Sequence, residues 1–187
     1  MATYNSNVWN TIFGPTQVGE RGIVHVVGSI LVPAGAGLVT ADTLNFFRAR
    51  AGGHLRNLWI QNSDFATTAA PGTLGTYRIN ASGANAAGSA ISASAILSDL
   101  IFETAADRNL ENYASDLTSA GGNFATPFAA LTEDFIVKAV VGTMNGAITA
   151  GAKYIKFAGE LVYFGADFDS TAAFTYNGAT SGASVTE

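Results

Sequence analysis

The sequence predicts an all-β protein: one sandwich or barrel domain with an extended arm at each end. Segments rich in β-branched residues alternate with turns that contain Gly or Pro, and four of them fall within about 60 residues, which is typical of sandwiches and barrels. Only 12% of the 187 residues are charged, against about 25% in an average soluble domain. A small domain normally covers itself with charge, so we expect much of this surface to face other protein.

The first 20 residues are predicted to form the N-terminal arm. Glu20 is their one charged residue, and their large side chains follow neither the helical nor the strand period. Tyr4, Trp9 and Phe13 are too isolated to form a core of their own. They pack either on their own domain or in a neighbouring subunit, and the second arrangement is the preferred prediction.

Residues 21–165 are predicted to form the β domain. Its first strands are expected at residues 23–32, 38–50, 55–62 and 76–80. The Ala-, Ser- and Gly-rich residues 81–98 predict a loop that leads into one short helix around residues 90–106.

Two strands are predicted in the second half of the domain, at residues 135–141 and 153–164. Asn145-Gly146 lies between them and predicts a hairpin, because both residue types tolerate a positive φ. Gly159 interrupts the second strand and indicates a bulge or bend.

Residues 166–187 are predicted to form the C-terminal arm. They contain no basic residue, and Phe168, Phe174 and Tyr176 stand apart among small polar residues. We expect these aromatic residues to anchor the arm in the same way as those of the first arm. Buried aromatic anchors contribute about 2 kcal/mol or more each to an interface.

Two charged groups could meet across copies of the chain in a homo-oligomer. The basic group, in the first β region, is Arg48, Arg50, Arg56 and Arg78. The acidic group recurs every four residues and would share one helix face: Asp99, Glu103, Asp107 and Glu111. The acidic row could instead be a solvated face. A Ca²⁺ site is the weakest alternative, because the required loop spacing is missing.

No constellation of catalytic, cofactor-binding or metal-binding residues stands out. The chain has no Cys and only two His, of which His25 is expected as a structural residue in a strand and His54 as a solvated turn residue. Glu133 and Asp134 are adjacent and point to opposite faces of a strand, so they suit a surface position better than acid–base catalysis. Nucleophile and phosphate-loop motifs are absent.

The charge and hydropathy patterns exclude two further classes of partner. The net charge of −5 argues against a nucleic-acid partner. The sequence shows neither a secretory leader nor an apolar stretch of 18 residues, which argues against secretion and a membrane span.

Two segments resemble virion structural proteins of tailed phages. In residues 38–60, a short strand opens at Asp42 and is followed by the turn Gly52-Gly53, with Asp64 in the loop beyond; residues 148–163 resemble the closing strand of the same group. The group usually has Pro before the Gly turn, where this chain has Arg50-Ala51. The resemblance covers residues 22–80 and 132–164. It implies a jelly-roll capsid decoration (cement) protein, often trimeric.

The predicted function is therefore structural: the chain binds the outside of a viral capsid lattice and bridges capsomers. Its partners would be the major capsid protein and further copies of itself, with a trimer favoured. It would be made in the host cytoplasm and located on the capsid exterior. The alternative is a receptor- or glycan-binding sandwich of a head or tail fibre that uses Trp59, Asn62 and Asp64. A small β-barrel enzyme and a self-assembling shell protein are the remaining candidates.

Overall fold

The structure is a computed structural model that describes residues 1–14, 21–70, 72–81, 83–100, 106–109, 133–147 and 150–164. These residues form β-strands and no helix. The strands are β1 (Thr3–Asn5), β2 (Ile12–Phe13), β3 (Arg21–Val32), β4 (Thr43–Ala49), β5 (Gly53–Asn62), β6 (Ala66–Ala69), β7 (Gly72–Arg78), β8 (Ala90–Leu100), β9 (Ala106–Asn109), β10 (Phe135–Val140), β11 (Met144–Ala147) and β12 (Lys153–Phe164). The all-β prediction is confirmed.

Two large sheets face each other across the core. The first sheet has the order β1-β4-β10-β7-β8, with β2 also paired to β4, and the second has the order β3-β12-β5-β9. Strands β6 and β11 form a separate two-stranded sheet. The centre of the core is aromatic, because the ring of Phe157 lies 5.2 Å from that of Phe46 and 6.0 Å from that of Phe47. The protein is therefore a β-sandwich.

A bulge in β4 explains how two adjacent Phe residues both reach the core. The β10–β4 register steps from Val137–Phe47 to Lys138–Asn45, which leaves Phe46 as an extra residue in β4. An extra residue breaks the alternation of side chains between the two faces of a strand. Phe46 and Phe47 are consequently both fully buried.

Strand β12 lies between β3 and β5 in the second sheet. It pairs with β3 from end to end and with β5 along most of its length. The register with β5 shifts between Glu160 and Leu161, beside Gly159, but the extra residue belongs to β5, and β12 pairs with β3 without a shift; the bulge therefore lies in the strand opposite the predicted one. Asn57 and Leu55 oppose these two residues, and Arg56 between them is the extra residue of the bulge.

The structure corrects two sequence predictions. Residues 90–100, expected to enter a helix, form strand β8 against β7. Asn145-Gly146 does not close a hairpin, because β10 and β12 belong to different sheets and residues 144–147 pair with β6. Gly146 does adopt the positive φ that the dipeptide indicated, at 61°. This positive φ lies within β11, where residues on both sides of Gly146 pair with β6.

Candidate interaction surfaces

The N-terminal segment, residues 1–14, lies along the outer edge of β4. Strand β1 pairs with β4 in parallel, with Thr3 opposite Thr43, and β2 pairs with the other end of β4. The Asp42 carboxylate, which is 1% exposed, accepts hydrogen bonds from the backbone N–H of Ala2 and from that of Val39 at 3.0 Å. A carboxylate that accepts backbone N–H groups is well satisfied in a buried place. Asp42 therefore holds the start of the segment on its own domain.

All three aromatic residues of the N-terminal segment contact their own domain. The Tyr4 hydroxyl donates to the carbonyl oxygen of Gly37 at 3.1 Å. The ring of Phe13 meets that of Phe47 edge-on, with centroids 6.4 Å apart. The guanidinium carbon of Arg48 lies 5.4 Å from the centroid of the Trp9 ring. Of the two predicted arrangements, the contacts within the chain show packing on the own domain for Tyr4, Trp9 and Phe13.

Tyr163, in β12, ties the N-terminal segment to the second sheet. Its hydroxyl donates to the carbonyl oxygen of Phe13 at 3.0 Å and also lies 3.3 Å from that of Arg50. Burial raises the pKa of Tyr163 to about 12. Its phenol therefore remains protonated, and remains a donor, well above pH 10.

Two of the four arginines proposed for contacts between copies have partners within the chain. Arg78 Nε lies 3.1 Å from Glu133 Oε1, and Arg78 Nη1 donates to the carbonyl oxygen of Ala90 at 2.9 Å. Arg48 lies against Trp9. Arg50 is exposed, and Arg56 occupies the bulge in β5.

The acidic row does not form one face. Asp99 lies in β8 of the first sheet and Asp107 in β9 of the second sheet, so the prediction of a shared helix face is wrong for this pair. A four-residue spacing places side chains on one face only in a helix, and residues 90–100 instead pair as a strand with β7. Glu103 and Glu111 lie outside the described residues, as do the C-terminal anchors Phe168, Phe174 and Tyr176.

The outer face of the second sheet exposes several apolar side chains. Ile23, Val27 and Leu31 of β3 are 50%, 69% and 47% exposed, and Tyr154 of β12, opposite Leu31, is 45% exposed. We call these four residues the apolar stripe. Val26, Ile30 and Val32 point the other way and are fully buried.

His25 lies in strand β3, as predicted, and shares the outer face with the apolar stripe. Its side chain is 67% exposed, and Nδ1 lies 3.6 Å from Glu160 Oε1. The signal for this face was present in the sequence. Apolar residues occur in both alternating sets of β3, but His25 and Ser29 both belong to the outer set, so the even-numbered set is the more apolar one.

The remaining candidates concern metal binding, membrane spanning and glycan binding. Among the described residues, no group of three or more His, Asp and Glu side chains could hold a metal ion. The described part of the chain also has no helix that could cross a membrane. Of the three residues considered for glycan binding, Trp59 is half-buried and Asp64 exposed, whereas Asn62 is buried and its Nδ2 donates to the Ser63 carbonyl oxygen at 2.8 Å.

These observations define a β-sandwich of two large sheets, with the N-terminal segment paired along the outer edge of β4. No protein-family model matches the chain, and no curated protein matches it. A solved structure of the capsid of Ralstonia phage GP4 contains a similar chain, with a TM-score of 0.56 at 10% identity over 86% of this chain and 97% of that chain. The capsid asymmetric unit of cyanophage Pam1 contains another, with a TM-score of 0.39 at 16% identity over 82% of this chain and 93% of that chain. The first similarity shows a shared fold.

Proposed function

We propose that the chain is a virion structural protein that binds the outer surface of a capsid lattice and stabilises the lattice by bridging capsomers. The observation that carries this proposal is the fold shared with a chain in the capsid of Ralstonia phage GP4, over nearly the whole of both chains. The proposed role is non-catalytic. It agrees with the low charge of the sequence, which suits a surface that other protein covers.

The strand order supports the jelly-roll version of the β-sandwich. When β1, β2, β6 and β11 are left aside, eight strands remain, which we number 1 to 8 in chain order. The second sheet, β3-β12-β5-β9, then has the order 1-8-3-6, and the first sheet, β4-β10-β7-β8, has the order 2-7-4-5. Two four-stranded sheets that interleave in this way are what two successive Greek keys produce. We therefore assign residues 21–165 to a jelly-roll domain.

Residues 166–187 are proposed as the arm that reaches a neighbouring capsomer of the major capsid protein, anchored by Phe168, Phe174 and Tyr176. A protein that binds only the assembled shell stabilises it by mass action, by about 2.7 kcal/mol per site at a concentration of 100 times Kd. Several arms on one oligomer raise their effective concentration and slow release. A trimer suits three-fold lattice positions, and Arg50 and Arg56 would contribute to contacts between copies.

The proposal is tested by sedimenting purified chain with shells that lack it. We expect saturable binding to the shell exterior and a higher temperature of shell disruption. A chain truncated after residue 165 should keep the circular dichroism of a β-protein but occupy fewer sites, and the triple variant Phe168→Ser, Phe174→Ser, Tyr176→Ser should behave in the same way. A chain that does not bind shells but binds glycans would overturn the proposal in favour of a receptor-binding sandwich.

A further inference from the structure

Among the described strands, β3 lies at one edge of the second sheet, and much of its outer side has no described partner. In the second sheet it pairs on one side with β12. On the other side, described residues reach it only near Ser29 and Ile30: Ser6 forms a bridge with Ile30, and the Asn7 N–H donates to the Ser29 carbonyl oxygen at 2.9 Å. Between Gly22 and Gly28, no described strand pairs with this edge.

The contacts of Ser29 show which backbone groups of β3 face the open edge. Asn7 Oδ1 accepts from the Ser29 N–H at 2.8 Å, so both backbone groups of Ser29 point away from β12. The β3–β12 register runs from Arg21 to Val32 without a shift, so the orientation alternates regularly. The N–H and C=O groups of Ile23, His25 and Val27 therefore point outward as well.

The side chains of these residues leave the open edge unprotected. Edge strands usually avoid pairing with other chains by means of Lys, Pro, bulges or inward charges. From Gly22 to Gly28 the sequence is Gly-Ile-Val-His-Val-Val-Gly, with no Lys, Pro or carboxylate. Ile23 and Val27 are 50% and 69% exposed on the outer face, where apolar contacts would accompany backbone pairing.

We propose that β3 of a second copy of the chain pairs with this edge in an antiparallel, two-fold symmetric arrangement centred on His25. Each His25 then faces His25 of the other copy, and each Ile23 faces the other copy's Val27. This centre places outward-pointing backbone groups opposite each other on both strands and joins the two second sheets into one continuous sheet. It also stops short of Ser29, where Asn7 occupies the edge.

The proposed register is self-complementary in its side chains. A pair of β-branched residues, Ile23 and Val27, recurs on each side of the two-fold axis, and such cross-strand pairs stabilise antiparallel sheets. At the axis, each His25 has the carboxylate of Glu160 at 3.6 Å in its own copy. The proposed contact forms between two copies of this chain and requires no other protein. It goes beyond the proposed capsid role, and it concerns a surface separate from the C-terminal arm.

A single-cysteine crosslink tests the register, because the chain has no Cys. Directly opposed residues in a hydrogen-bonded antiparallel pair have Cα atoms about 5.5 Å apart, within the disulfide range. His25→Cys is therefore expected to give a covalent dimer in most of the protein under mild oxidation. Val39→Cys is the matched control, since Val39 is exposed (46%) outside β3. Equal crosslinking of the two variants would overturn the proposal.

A backbone variant provides a second test by light scattering. Val27→Pro removes an N–H that points to the open edge, so the ladder with β12 is kept while pairing with a second copy is blocked. The variant should keep its β-sheet circular dichroism and have at most half the mass of the unsubstituted chain. An unchanged mass would refute the contact. So would a His25→Cys chain that crosslinks only after residues 166–187 are removed, because the chain's own C-terminal segment would then cover the edge.

Discussion

The outer edges of β4 and β3 differ in how far the N-terminal segment covers them. The N-terminal segment covers β4 with two short parallel strands, an aromatic contact at Phe13 and the buried Asp42 carboxylate. The same segment touches β3 only near Ser29 and leaves the stretch before it open. The difference indicates that β4 belongs to the interior of the fold, whereas β3 is a surface on which further protein can add.

Deleting residues 1–14, which cover the edge of β4, should have the largest effect on the stability of the fold. The deletion removes both strand pairings of β4 and the partly buried side chains of Tyr4, Val8 and Phe13, each of which stabilises the fold by about 1 kcal/mol or more. We expect the free energy of unfolding to fall by about 4 kcal/mol or more, measured by urea denaturation with circular dichroism. A deletion with unchanged stability would show that the segment does not cover the edge in solution.

Phe13→Ala should weaken the same edge at a single contact. Phe13 is partly buried and packs edge-on against the fully buried Phe47, so its loss should cost about 2 kcal/mol. Phe13→Leu is the matched control and should cost about 1 kcal/mol, because it keeps much of the apolar contact. Equal stability of both variants and the unsubstituted chain in thermal unfolding would contradict the packing.

Tyr163→Phe should cost about 1 kcal/mol, since it removes the hydroxyl that donates to the Phe13 carbonyl oxygen. The effect should depend on pH. The pKa of Tyr163 is about 12 in the folded protein and about 10 in the unfolded chain, so its contribution is complete below pH 10 and is lost as the pH rises toward 12.

The stability difference between the unsubstituted chain and Tyr163→Phe should therefore shrink between pH 9 and pH 11.5. Burial also raises the pKa of Tyr4 and Tyr77, but these residues are present in both proteins. The difference in stability between the two proteins therefore reports the titration of Tyr163 alone. Urea midpoints at the two pH values provide the measurement. A difference that stays constant would argue against a buried, hydrogen-bonded phenol.

Val27→Thr should have the smallest effect, within about 0.5 kcal/mol at a protein concentration where the chain is monomeric, because Val27 is 69% exposed. The matched variant Val26→Thr places a hydroxyl on the fully buried face of the same strand and should cost about 2 kcal/mol. Chemical denaturation of the pair sharpens the assignment of inner and outer faces. Equal costs would show that the outer face of β3 is covered.

The sequence predicted the long strands well and the small-residue strand poorly. Strands β3, β4, β5 and β12 are rich in β-branched and aromatic residues, and their predicted positions overlap the observed ones closely. Strand β8 is mainly Ala and Ser around a buried Ile96, and such residues carry little strand preference. The helix prediction failed there because packing against β7, rather than local preference, determines the conformation of β8.

The interaction surfaces depended on contacts that no local pattern reveals. The parallel pairing of Thr3 with Thr43 joins residues 40 positions apart, and nothing in the first 14 residues specifies that partner. The Asn145-Gly146 signal correctly indicated a positive φ at Gly146, yet the strands on either side belong to different sheets.

The position of β12 between β3 and β5 has a consequence for how the chain folds during synthesis. Phe164 pairs with Arg21, so the second sheet joins nearly the first and the last described strands, and β3 and β5 have no common neighbour until residues 153–164 leave the ribosome. Such long-range pairing makes folding slow and leaves strand edges exposed in the meantime. Completion of this sheet should therefore be post-translational, and nascent chains arrested before residue 153 should depend on chaperones to stay soluble.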